Sequence, residues 1–175
     1  VHYTLAVPIL QRLQSVGVSV LGACGDVLRK VVGCPVAGVD REELLDAGPL
    51  AQQISDFFLG NLEYANLPRK YKIGITGCRT WCMHPEIHCV ALTGAVREGQ
   101  VGFDVRVGGG LSTQPFLSQR LGVFVLPEQA LEVVRHITDI WRDSPEYRQK
   151  RHHARFKFLI HDWGVEKFRQ TLETR

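Results

Sequence analysis

No stretch of this sequence approaches the roughly 18 consecutive apolar residues that a membrane span demands, so no contact with a membrane is expected. Net charge is equally scarce, since 21 Lys and Arg face 18 Asp and Glu and leave only +3. A nucleic-acid partner would require a broad basic face, so none is expected and any anion recognition must be local. The glycine spacing GxGxxG is absent, which removes the dinucleotide fingerprint. No internal repeat, low-complexity tract or linker divides the chain. Cysteine is sparse and odd in number at five. With no signal peptide ahead of them, these thiols point to a reducing, cytoplasmic setting rather than a disulfide framework. An initiator methionine is missing too: the chain begins at Val1, which leads us to expect residues 1–175 to be one piece of a longer polypeptide.

What the chain does hold is enough apolar material for one domain, with 45% hydrophobic and 22% charged residues over 175 positions. Pro8 opens an apolar period through Ile9, Leu10, Leu13 and Val16 that closes at Gly17, the pattern of a short helix. A strand-like VSVLGACG follows. The segment from Gly33 then reads as loop until Asp46 caps a helix carrying Leu50, Ile54 and Phe57, which Gly60 stops. KIGIT reads as a strand, and HCVALTGAVREGQVGFDVRVGGG alternates on either side of Glu98 and Gly99, which predicts a hairpin. Pro127 begins the clearest helix, with Leu131, Val134, Ile137 and Trp141 on one stripe, and the last thirty or so residues read as helical. Strands grouped centrally between helical segments indicate an α+β fold, a central mixed or antiparallel sheet flanked by helices.

The run LPRKYKIGITG, Leu67 to Gly77, sets Arg69, Lys70 and Lys72 at the start of one strand. If that strand begins at Lys70, alternation puts Lys70 and Lys72 on one face and Arg69 and Tyr71 on the other. Residues two apart stand roughly 7 Å from each other, where two ammonium groups repel by about 2 kcal/mol at an effective dielectric near 20. Such a pair favours an anion between its members, although an exposed strand start with solvated lysines has the same pattern. GACGDVLRKVVGCP, Gly22 to Pro35, joins several glycines to Arg29 and Lys30. It suits a loop brought close to a ligand with a guanidinium reaching over it, or a plain tight turn. In VRVGGGLST, three consecutive glycines fit either an anion-binding nest or a bulge.

GCRTWCMHPEIHC holds Cys78, Cys82, His84, His88 and Cys89, soft ligands enough for zinc or part of an iron-sulfur cluster. The first gap is three residues rather than two, and no second knuckle follows. Cys34, Cys78 and Cys82 would still lack an evident fourth thiolate, Cys24 being the remaining distant candidate. Buried or loop cysteines without a metal are the simpler reading. A zinc or Fe-S module using Cys78 and Cys82 is the alternative.

Taken in order, GACGDVLRKVVGCPVAGVD, LPRKYKIGITGC, HPEIHCVALTGAV, GFDVRVGGGLST, LGVFVLPEQALEVV and ARFKFLIHDWGVEKFR resemble the ferredoxin-dependent nitrite and sulfite reductases. The match is to the siroheme-binding catalytic domain of their N-terminal half, and it runs from about Leu21 to the C-terminus. The resemblance implies a sulfite reductase hemoprotein-like domain from a two-half enzyme. In that enzyme siroheme, coupled to a 4Fe-4S cluster, reduces sulfite to sulfide or nitrite to ammonia with six electrons from ferredoxin or a similar donor. It also implies four basic side chains around the anion. Arg29, Lys70 and Lys72 match three of them, and the fourth, an arginine on an earlier segment, would precede Val1. Arg69 matches a residue that touches siroheme. On this reading Arg29 anchors the anion, while Lys70 and Lys72 anchor it and deliver protons. Members of nitrite type that resemble the plant enzymes tend to place Asn where this chain has Lys72, which leans the reading toward sulfite. The family's cluster cysteines lie in the C-terminal half as CxxxxxC followed by CxxxC. Cys78 and Cys82 reproduce the second spacing alone, so the cluster ligands are expected outside this chain, in the second half of the same polypeptide. No turnover is expected from these residues by themselves. The competing reading is a non-catalytic structural half-domain that lends only a cationic wall.

Overall fold

The computed structural model describes residues 2–175. Five strands form one sheet in the order β1-β2-β3-β4-β5: β1 is Leu28–Val32, β2 Tyr71–Thr76, β3 Val90–Arg97, β4 Gln100–Val107 and β5 Gln119–Val125. The first two pairings are parallel and the last two antiparallel, so the sheet is mixed, as the α+β reading anticipates. Parallel neighbours cannot be joined by a tight turn. Helix α2, Gly48–Phe58, lies in the crossover from β1 to β2. The crossover from β2 to β3 has no α-helix, only a 3-10 turn at Pro85–Ile87. The expected hairpin is present with unbroken register from Val90 opposite Val107 to Arg97 opposite Gln100. Its two central residues, Glu98 and Gly99, both take positive φ, at 51° and 79°, which the twist of a two-residue hairpin requires.

Alternation along the strands sorts the core to one face. Tyr71, Ile73 and Ile75 of β2, Val90 and Leu92 of β3, Phe103, Val105 and Val107 of β4, and Leu121 and Val125 of β5 are all buried in one cluster. Helix α2 packs on β1, α6 (Val165–Glu173) packs on β5, and α3 (Ala130–Arg142) lies against both helices. Within that layer Tyr71 stacks on Trp141 at 5.2 Å between centroids and meets the edge of Phe156 at 5.7 Å, while Phe156 meets Phe168 at 5.6 Å. Their polar atoms are satisfied: Trp141 Nε1 donates to the Ala154 carbonyl at 3.2 Å, and the Tyr71 hydroxyl accepts from Thr138 Oγ1 at 3.3 Å.

Several elements fall where the periodicity predicts. Helix α1 runs from Ala6 to Ser15. The N-cap of α2 is Ala47 rather than the expected Asp46, which stands one residue earlier and accepts from the Gly48 N–H through Oδ1 at 2.8 Å. The buried stripe of α2 is Leu50, Ile54 and Phe58 rather than Phe57. Downstream of α3 the chain is helical in pieces, α4 at Glu146–Gln149 and α5 at Phe156–Trp163 ahead of α6. Other expectations fail. VSVLGACG is not a strand: Gly22 and Gly25 take φ of 76° and 100°, which breaks any extended run, and Val18, Val20 and Leu21 lie exposed. The strand begins at Leu28, inside the stretch that reads as a loop. Strand β5 was not expected, because Gly122 at φ 77° interrupts the pattern that would announce it.

At one corner three segments meet backbone to backbone. A Cβ on Gly94 would overlap the Gly77 carbonyl, and a Cβ on Gly77 would overlap the carbonyl of Leu45. The Leu44 N–H donates to the Gly77 carbonyl at 2.9 Å. Substituting Gly94→Ala should therefore destabilise the protein by roughly 2 kcal/mol or more. Thermal unfolding followed by circular dichroism would register this as a clear fall in Tm, and an unchanged Tm would show that this close approach is not required.

Candidate functional site

Burying Tyr71 in the core turns the residues that flank it toward the other side of the sheet. Lys70 and Lys72 line one cavity of about 160 Å³, together with Ile87, Leu111, Ser112 and Arg155. A second cavity of about 230 Å³ adjoins it and shares Lys70, Ser112 and Arg155, with Arg69, Thr113, Arg151 and His152 completing the wall. No carboxylate lines either cavity. Another cavity of similar size, between Leu21 and Ala65, is lined almost wholly by apolar groups and offers an oxyanion nothing.

The strand itself starts at Tyr71, so the alternation expected from Lys70 does not reach back to Arg69. Lys70 and Lys72 do share a cavity, and Arg69 lies in the second cavity beside Lys70 rather than on the Tyr71 side. Arg29 sits on the neighbouring strand, where Leu28 pairs with Tyr71. Its guanidinium lines neither cavity. Nε donates to the Gly25 carbonyl at 2.9 Å and Nη1 to that of Ala23 at 2.8 Å. Arg29 thus braces its own loop, while its charge still acts on Lys70.

Sequence reasoning did not single out Arg155, which belongs to both cavities. It lies immediately before Phe156, and the burial of that ring fixes its place. Its Nε is buried without a hydrogen-bond partner, and its Nη2 approaches the Cys89 sulfur at 3.9 Å. An orphaned guanidinium nitrogen beside an acid-free cavity is a donor with the charge and geometry to hold an anion. The Arg155 charge is the first cause holding the Lys70 ammonium below the ordinary lysine value, followed by burial and then by Arg69, Arg29 and Lys72. Lys70 is therefore poised to give up a proton more readily than a solvated lysine. The only sequence signal for Arg155 is a cation set just before an apolar run, and nothing local ties it to lysines more than eighty positions earlier.

Asp26 was missed as well. It stands behind the second cavity and holds two of its cations, pairing with Arg69 at 2.9 Å and Arg151 at 3.0 Å. The five cysteines are free. Cys78 is buried, with its Sγ donating to the Thr80 carbonyl at 3.2 Å, whereas Cys82 is exposed. Among the described residues no three His, Cys, Asp or Glu side chains come together as a metal site, so the Cys78 and Cys82 module finds no ligand set.

A family model described as the nitrite and sulphite reductase 4Fe-4S domain matches residues 24–175. The chain belongs to that family. Among its reductase relatives, sulfite reductase (ferredoxin) 1 of Mycolicibacterium paratuberculosis is 46% identical over 166 residues, covering 94% of this chain and 29% of that protein. The assimilatory ferredoxin-dependent nitrite reductase of Haloferax mediterranei is 42% identical over 172 residues, covering 95% of this chain and 29% of its own length. The solved structure of the Mycobacterium tuberculosis NirA protein superimposes with a TM-score of 0.88 at 43% identity, over 97% of this chain and 31% of that one. Dissimilatory sulfite reductase I shares the fold, with a TM-score of 0.73 at 12% identity. The chain thus spans less than a third of the length of these curated reductases.

The brace on Arg69 and Arg151 can be tested through pH. Burial alone would raise the Asp26 pKa, but the hydrogen bonds and charges of Arg69 and Arg151 outweigh it and hold the carboxyl below its usual 3.8. A depressed carboxylate contributes stability that is fully present above the unfolded value and is lost as the pH falls through the folded one. Asp26→Asn should abolish that contribution, so the Tm of the natural protein should fall more steeply than the variant's as the pH drops below 3.8. Parallel Tm curves would rule the brace out as a source of stability.

Proposed function

We propose that residues 1–175 form one segment of a longer two-half reductase and supply the cationic wall against which sulfite or nitrite is reduced. The observation that carries this reading is the pair of adjoining cavities, lined by Lys70, Lys72, Arg155, Arg69 and Arg151 and free of carboxylates. Siroheme fits that arrangement, because its rim of carboxylates would find Arg69, Arg151 and the unpartnered Arg155. When bound, siroheme supplies the iron that takes the oxyanion and passes it electrons from a 4Fe-4S cluster. Ferredoxin or a similar donor is the implied electron source. The described residues offer no cysteine set for the cluster, so its ligands are assigned to the second half of the polypeptide. This segment alone then has no turnover.

The work of this chain's own residues follows from the substrate's needs. Each oxygen lost from sulfite or nitrite leaves as water and takes two protons with it. Lys70 and Lys72 hold the anion by charge, and Lys70, its proton loosened by Arg155, donates to the departing oxygen. Arg155, with its planar fork of N–H donors, fixes the anion's position. Arg29 adds to the field from β1, a supporting part rather than direct contact. A dianion gains more than a monoanion from the second ammonium, so Lys72 favours sulfite.

These roles predict distinct kinetics in the full-length enzyme. Lys70→Met should lower kcat for sulfite by about 100-fold or more, the scale of a lost general acid. Lys72→Asn should reduce kcat/KM for sulfite more than for nitrite, so an unchanged ratio would remove the substrate assignment. Because the Lys70 pKa is lowered, its proton is lost at a lower pH than from an ordinary lysine, and the alkaline limb of the kcat/KM profile moves down accordingly. Arg155→Met removes the main cause of that shift and should move the limb to higher pH. A limb that stays in place would exclude Lys70 as the proton donor. In the absence of an anion, the same repulsion costs stability below the folded pKa of Lys70 and is relieved as the pH rises through it.

A further inference from the structure

One buried cation has no part in this chemistry. Lys157, in the first turn of α5, is only 2% exposed. Its ammonium donates to backbone carbonyls: Gly110 at 3.4 Å, Leu111 at 3.1 Å, and Gln114. The same Nζ lies over the rings of Phe116 and Phe158, at 5.5 and 5.0 Å from their centroids. An ammonium has three protons, and three carbonyls of one short loop receive them. Gly110 and Phe116 close the loop by exchanging backbone hydrogen bonds at 2.9 and 3.0 Å.

The loop so gathered is the wall of the candidate site. Leu111 and Ser112 line the smaller cavity, and Ser112 and Thr113 line the larger. Ser112 takes φ of 98°, a conformation that residues with a side chain rarely adopt and that must be imposed from outside. Carbonyl oxygens carry partial negative charge, so any that faced the cavities would repel an anion. Binding three of them to an internal cation keeps them off that surface. Burial, and then the Arg155 charge, make the Lys157 proton less tightly held than an ordinary lysine's, but the clamp needs no proton transfer.

We propose that Lys157 is a positioning residue for the anion site: by binding the carbonyls of Gly110, Leu111 and Gln114, it fixes the loop that walls both cavities and holds Ser112 in its unfavourable backbone conformation. The effect on anion binding rests on the functional reading given above, whereas the effect on Ser112 does not.

The test is a double-mutant cycle in the full-length protein, Lys157→Met with Ser112→Gly, read by thermal unfolding and by calorimetric titration with sulfite as the probe. Glycine accepts positive φ without strain, so Ser112→Gly should raise Tm while Lys157 is in place. Once Lys157→Met has released the loop, the same substitution should give no gain. Lys157→Met should also weaken sulfite binding about tenfold, because the wall must then be ordered on binding. Lys157→Arg keeps the charge but cannot send three protons from one nitrogen to three carbonyls, and should weaken binding to a similar degree. An equal gain from Ser112→Gly with and without Lys157 overturns the clamp, as does unchanged sulfite affinity in the Lys157 variants. Should Lys157→Met fail to fold, Lys157→Arg serves in both readings. If the unsubstituted protein binds no sulfite, the functional reading fails, and the coupling between Ser112 and Lys157 in Tm still decides the clamp.

Discussion

The packing of Tyr71 against Trp141 and Phe156 is the constraint from which the site follows. A strand residue that points into the core sends its neighbours the other way. Burying Tyr71 therefore delivers Lys72 and the adjoining Lys70 to the cavity, and burying Phe156 delivers Arg155 to the same place from a helix far along the chain. These cations repel one another by about 2 kcal/mol per close pair at an effective dielectric near 20. A buried aromatic side chain contributes roughly 1.5–3 kcal/mol through area alone, and the cluster has four rings. Ring packing is thus strong enough to hold like charges together that would separate if free to do so.

The cations divide into two groups by what lies behind them. Asp26 partly offsets Arg69 and Arg151 and fixes their direction. Lys70, Lys72 and Arg155 share a cavity with no acid in its wall, so no carboxylate there offsets their field. Arg29 belongs to neither group, since its guanidinium is turned onto the carbonyls of its own loop. Orientation and attraction are therefore handled by different residues, and a change in one group need not disable the other.

Much of this was legible in the sequence because it is local. The pairing of Lys70 with Lys72 follows from strand alternation, the turn at Glu98 and Gly99 from two alternating flanks, and α3 from a clear apolar stripe. What escaped is what depends on distant partners. Arg155 meets Lys70 only through the burial of Phe156, and Asp26 meets Arg151 across 125 positions. Nothing local marks Lys157, which is buried among backbone carbonyls supplied by a loop more than forty residues earlier. The first strand was misplaced because glycines at positive φ end an extended run without disturbing its apolar pattern.

The two cavities have Lys70, Ser112 and Arg155 in common, and this shared wall makes their contents interdependent. Negative groups lodged in the larger chamber offset the guanidinium fields that loosen the Lys70 proton, and so restore part of that lysine's basicity. The acid strength available in the smaller chamber is consequently set by its neighbour's occupant. A protein whose larger chamber holds negative groups keeps the Lys70 proton more firmly than one in which it is vacant.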